Sequence, residues 1–127
     1  MTNQQRKTLL KAQQGELDAV KMYNELAAVV KDEADAQVFR QLAAEEGRHA
    51  SVFHAHTQTV LKPKNTKAVM VPLLYVAIGK ERLYPIIAKN EYSAAEKYAH
   101  IVGDFPEVES VMNDETRHGD TVLALLK

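Results

Sequence analysis

Two tetrapeptides, Glu46-Gly-Arg-His49 and Glu115-Thr-Arg-His118, each place a carboxylate three residues before an imidazole. On a helix, that spacing puts the two groups one turn apart on one face. Carboxylate oxygens and imidazole nitrogens are ligands for iron, manganese and zinc. A single Glu-x-x-His is weak evidence, because the two side chains can simply pair with each other. The flanking residues say more. Phe39, Leu42, Glu46, His49, Phe53 and His56 recur at spacings of 3, 4, 3, 4 and 3, and so do Val108, Val111, Glu115, His118, Val122 and Leu125. Both stripes are largely apolar, as a core-facing helix surface is. A carboxylate on such a surface is costly unless something neutralises it.

Two more glutamates occupy similar stripes. Glu16 lies on Leu9, Gln13, Glu16, Val20, Tyr23, Ala27 and Val30, and Glu91 on Ile87, Glu91, Ala94, Tyr98 and Ile101. Taken singly, Glu16 reads as a partly solvated partner of lysines and Tyr23 as plain core. Taken together, they form a repeat. A tyrosine follows each glutamate by seven residues, and Glu16 and Glu91 precede their Glu-x-x-His by 30 and 24 residues. A tighter connection in the second half accounts for the shorter interval.

Each half therefore supplies one Glu and one Glu-x-x-His. Four buried glutamates carry a charge of −4, which two divalent cations balance, with neutral imidazoles completing the shell. The expected ligands are Glu16, Glu46, His49, Glu91, Glu115 and His118. Glu46 and Glu115 would bridge the two metals, and Glu16 with His49, and Glu91 with His118, would each complete one. Tyr23 and Tyr98 would donate hydrogen bonds to the terminal carboxylates. Oxygen and nitrogen ligands without thiolate suit two iron ions, with manganese or a mixed pair as alternatives and zinc as a substitute.

Helices must position these groups, and the pattern predicts only helices. The first runs from Asn3 to Val30, with Thr2 and Gln5 at capping-box spacing. A short charged break, Lys31 to Asp35, makes the second its antiparallel neighbour, capped by Asp32 and ending near His56. Residues 57 to 82 form a long crossover containing the loop Lys62-Pro-Lys-Asn-Thr and a short buried helix over Ala68 to Ile78. The third helix starts near Arg82 to Pro85 and ends before Gly103, and Asp104-Phe-Pro-Glu107 caps the fourth. The expectation is an all-α, ferritin-like four-helix bundle with a long crossover between helices 2 and 3.

Composition narrows the function classes. The 127 residues suit one domain, residues 1–127. A net charge of −1, with no basic run and no Gly-rich loop, argues against a nucleic-acid partner. Without cysteine there is no disulfide, thiolate metal site or rubredoxin-type carrier in the chain. The polar first residues predict no secretory signal, and the longest apolar run, interrupted by Pro72, is too short to span a bilayer. A cytoplasmic protein with no membrane partner is expected.

At this point the chain resembles the rubrerythrin family of the ferritin-like superfamily. The resemblance rests on Gly15-Glu16 with Tyr23, Glu46-Gly-Arg-His49, Glu91 with Tyr98, and Glu115-Thr-Arg-His118, and covers nearly the whole chain. It implies a di-iron site that reduces hydrogen peroxide or O2, an external electron donor such as a rubredoxin-like protein, and a homodimer. One departure stands out. Rubrerythrins tend to carry two glutamates one turn apart on the third helix, whereas the positions one turn from Glu91 are Ala88 and Ala94. A redox-linked exchange of ligands would lack its second carboxylate. The other readings are a ferroxidase for iron storage or detoxification, a hydroxylase with a tunnel lined by Ala68 to Ile78, and a non-catalytic binding module stabilised by metal.

Overall fold

The computed structural model describes residues 1–127, which form five helices and no strands: α1 (Asn3–Val29), α2 (Glu33–Thr57), α3 (Thr66–Ile78), α4 (Lys80–Ala99) and α5 (Val108–Ala124). Local chemistry sets the first boundaries. The Thr2 hydroxyl accepts from the Gln5 N–H at 3.0 Å, and Gln5 Oε1 accepts from the Thr2 N–H at 2.8 Å. This reciprocal pair satisfies donors that the helix itself leaves open. Asp32 caps α2 by accepting from the Ala34 N–H at 2.8 Å. The helix stops at Gln58, whose left-handed backbone (φ 53°) lets its N–H bond the His54 carbonyl at 2.8 Å.

The chain divides into two compact units, Met1–Leu73 and Leu74–Lys127. In the first, α1 and α2 form a helical hairpin. Leu9, Tyr23, Leu26, Phe39, Leu42 and Phe53 are fully or almost fully buried. The Tyr23 ring stacks on Phe39, with centroids 5.8 Å apart. Gln13, on the expected inward stripe, is buried and engaged by the segment that follows α2. It accepts from the Thr57 hydroxyl and donates to the Thr59 carbonyl at 2.8 Å. Arg6 donates to the Thr57 carbonyl at 2.8 Å, and Asp18 accepts from the Lys64 N–H at 2.7 Å. Side chains of α1 thus hold residues 57–64 against the hairpin and satisfy backbone groups that have no ladder of their own.

In the second unit α4 and α5 form the other hairpin, with Leu83, Tyr84, Ile87, Val108, Val111 and Val122 buried. Its boundaries differ from expectation in two places. α4 starts at Lys80, about a turn before Pro85, because the Leu83 N–H already bonds the Gly79 carbonyl at 3.0 Å. Pro85 removes one N–H from a helix that is already under way. Asp104 does not cap α5. Residues 100–107 are turns, in which the Phe105 N–H bonds the Ile101 carbonyl at 2.9 Å, and α5 starts at Val108 with no side-chain cap.

The connection in the second half is also longer, not tighter: residues 100–107, against residues 30–32 in the first. The shorter Glu-to-Glu interval comes from shorter helical arms. α1 extends 13 residues beyond Glu16, whereas α4 extends eight beyond Glu91.

α3 corrects a further expectation. The apolar run does form a helix, but within it only Ala68 is buried. A segment apolar on every side forms a helix readily, yet its composition does not say which side meets a neighbour.

Two substitutions test this local account. Asp32→Ala should lower stability by about 1 kcal/mol through loss of the cap. Gly15→Ala should raise it by about 0.5–1 kcal/mol, since residue 15 is exposed in mid-helix and an added Cβ meets nothing within 4 Å. Urea unfolding measures both.

Candidate metal centre

In the unit Met1–Leu73, α1 contributes Glu16 and α2 contributes Glu46 and His49, all three buried. His49 Nδ1 lies 3.0 Å from Glu46 Oε1 and 3.5 Å from Glu16 Oε2. One ligand atom of each residue lies within 4.8 Å of the other two. These are contacts between partners, yet the three atoms meet without hydrogen-bond geometry.

The unit Leu74–Lys127 repeats the arrangement with Glu91 from α4 and Glu115 and His118 from α5, again all buried. His118 Nδ1 lies 3.4 Å from Glu115 Oε1 and 3.5 Å from Glu91 Oε2. Their ligand atoms likewise lie within 4.8 Å of one another.

Each triad poses the same electrostatic problem. Two ionised carboxylates carry −2, and an imidazole Nδ1 has at most one proton to direct at two oxygens. A protonated imidazole leaves the triad net negative in a desolvated position. One divalent cation removes the excess and accepts all three donors at once, with the imidazole neutral. The arginines of the two motifs do not serve this purpose. Arg48 is exposed and sits 3.9 Å from Glu45, while Arg117 is exposed and pairs with Asp114 at 3.2 Å. The donor sets therefore fit a divalent cation, and specifically one that takes mixed oxygen and nitrogen ligands.

Tyr23 and Tyr98 are both buried, seven residues beyond Glu16 and Glu91 on the same helices. The other histidines stay apart from the triads: His56 is half-buried and His54 and His100 are exposed. Ala88 is buried and Ala94 half-buried, so α4 presents only Glu91 at this level.

Three features escaped the sequence reading. Asp35 and Glu45 are buried carboxylates off the main stripe, and Glu45 accepts from Gln41 Nε2 at 3.2 Å. The third is a contact beside the second triad. Tyr92, which follows Glu91, donates its hydroxyl proton to Asp120 Oδ1 at 2.5 Å. That bond, more than burial or the Asp120 charge, raises the phenol pKa above its usual value. The Tyr92 ring lies over Gly119, where an added Cβ would come within 2.5 Å of Cε1. A glycine directly after a helical histidine was the available signal: it marks a close approach.

Gly119→Ala should therefore cost about 1–2 kcal/mol, the overpacking outweighing the gain in helix propensity. In a Tyr92→Ala background the same change should become neutral or stabilising. A double-mutant cycle in urea reads the difference.

No curated protein and no solved structure matches the chain. The family model described as Rubrerythrin matches residues 7–126. Two helical hairpins with a Glu on one helix and a Glu-x-x-His on the next are the parts of a ferritin-like helical bundle. On a match that takes in nearly every residue and both triads, the chain belongs to the rubrerythrin family.

Proposed function

We propose that Glu16, Glu46 and His49 hold one iron ion and Glu91, Glu115 and His118 a second, and that the protein reduces hydrogen peroxide or O2 with oxidation of Fe(II). The observation that carries this reading is the buried triad of two carboxylates and one imidazole, built twice. Membership of the family adds the expectation of a di-iron site. Two ferrous ions, when bound, supply the two electrons that convert one peroxide and two protons to two waters.

The chain's own residues do the rest. Glu46 and Glu115, each one turn from its histidine, would be ligands, and Glu16 and Glu91 would each complete the set in its own unit. Tyr23 and Tyr98 would orient Glu16 and Glu91 with their hydroxyls. Phe39, Leu42 and Phe53 on α2, and Val111 and Val122 on α5, share the inward stripes and keep bulk water from the ligands. Regeneration needs an outside reductant, since the chain has no cysteine with which to hold an iron–sulfur carrier. A rubredoxin-like electron donor meets that need.

Ferroxidase chemistry is the second reading, and alanine at 88 and 94 favours it. With no second carboxylate one turn from Glu91, the set would hold no alternative ligand for a redox-linked exchange. Such a site serves stoichiometric Fe(II) oxidation at least as well as repeated peroxide turnover.

Metal-stripped protein titrated anaerobically with Fe(II) should take up two ions per chain. At free Fe(II) about 100-fold above Kd, stability should rise by about 2.7 kcal/mol, seen as a higher melting temperature. Glu46→Gln, which removes a buried charge without leaving a cavity, should abolish that rise and leave the metal-free protein no less stable. Peroxide added to the loaded protein should be consumed at one molecule per two irons as ferric near-ultraviolet absorption grows. Failure to bind two irons sinks both readings. An iron load far above two per chain after aerobic addition selects the ferroxidase.

A further inference from the structure

The most anomalous surface lies on α3. Val69, Met70, Leu73 and Val76 are 56%, 54%, 62% and 76% exposed, and Ala77 is exposed beside them. Positions 69, 70, 73, 76 and 77 form one continuous face of a helix. The apolar run from Ala68 to Ile78 contains no charged residue. An exposed apolar face of this kind marks an interaction site.

Charge indicates what covers it. Lys62, Lys64 and Lys67 precede the run, and Lys80 and Arg82 follow it. Against these five cations stands only Glu81, so residues 62–82 carry +4 in a chain whose net charge is −1. Lys62, Lys64, Lys67 and Arg82 are exposed. A second copy seated face to face about a two-fold axis would bring two such segments together, cation against cation. An anionic partner that is also apolar beneath its charged surface meets both features.

We propose that α3 docks in the plane of an anionic lipid surface, with Val69, Met70, Leu73 and Val76 entering the acyl boundary and the flanking cations on the headgroups. At 13 residues α3 is about 20 Å long, too short to cross a hydrocarbon core of about 30 Å. No helix of the structure is long and apolar enough to cross a membrane. In-plane docking requires neither. A short apolar face plus several basic residues is the two-part signal that reversible membrane association uses. The expectation of no membrane partner rested on spanning length alone.

The test is co-sedimentation of the full chain with vesicles of phosphatidylcholine, with and without phosphatidylglycerol. Binding should require phosphatidylglycerol and be lost at about 0.5 M salt, where screening is short-ranged. Lys62→Gln, Lys64→Gln and Lys67→Gln should each weaken partitioning about fivefold. Leu73→Asp and Val76→Asp should abolish it while leaving the circular dichroism spectrum unchanged, since both positions face solvent. Three results overturn the proposal: no binding, equal binding to both vesicles, or a solution dimer that Leu73→Asp converts to monomer. The last would assign the face to a second copy. None of these readouts depends on metal, so they stand apart from the iron titration.

Discussion

Four carboxylates and two imidazoles withdrawn from water are the constraint that the rest of the structure answers to. Glu16, Glu46, Glu91 and Glu115 are each almost fully buried, as are His49 and His118. An ionised carboxylate in such a position is tolerated when opposite charge sits close by. The arginines written into both motifs turn outward to Glu45 and Asp114, so the motif's own cation is spent at the surface. A metal is the compact counter-charge that suits three donors converging within 4.8 Å. Burying these charges costs the metal-free chain some stability and leaves donor sets suited to a cation.

Building the triad twice solves a positioning problem with one local rule. A glutamate mid-way along one helix and a Glu-x-x-His on the next converge when the two helices pack antiparallel. The rule holds although the halves differ in detail. The first half has long helical arms and a connection over residues 30–32, and the second has shorter arms and turns over 100–107. What both keep is the level at which the three groups meet, because the 3-4 stripe carries them to the packed face regardless of how the far end is closed.

Other residues serve that packing rather than the chemistry. Gln13 sits on the same stripe as Glu16, but the Thr57 hydroxyl and the Thr59 carbonyl engage its amide, making it an anchor for the crossover. Gly119 lets the Tyr92 ring lie against α5 one residue past His118, and the Tyr92–Asp120 bond holds the ring there. α3 is the exception to the core-seeking logic. It is the most apolar helix in composition and among the least buried, which is why it reads as a surface for a partner.

Much of this was legible before any coordinates. Helical class, the capping box at Thr2 and Gln5, the Asp32 cap and the four inward stripes are encoded by residues within a turn or two of one another, and such short-range rules survive in any context. The six buried acid and imidazole groups were legible for the same reason, with duplication supplying the second vote.

Boundaries and neighbours were not. Asp104 and Pro106 looked like a helix start, yet the chain closes turns there first, and α4 nucleates upstream of Pro85 from Gly79. The exposure of α3, the Gly119–Tyr92 approach and the burial of Asp35 and Glu45 depend on which surface meets which. Periodicity states that a face is apolar. Only tertiary packing determines whether anything covers it, because contact is a property of two segments and a sequence pattern describes one.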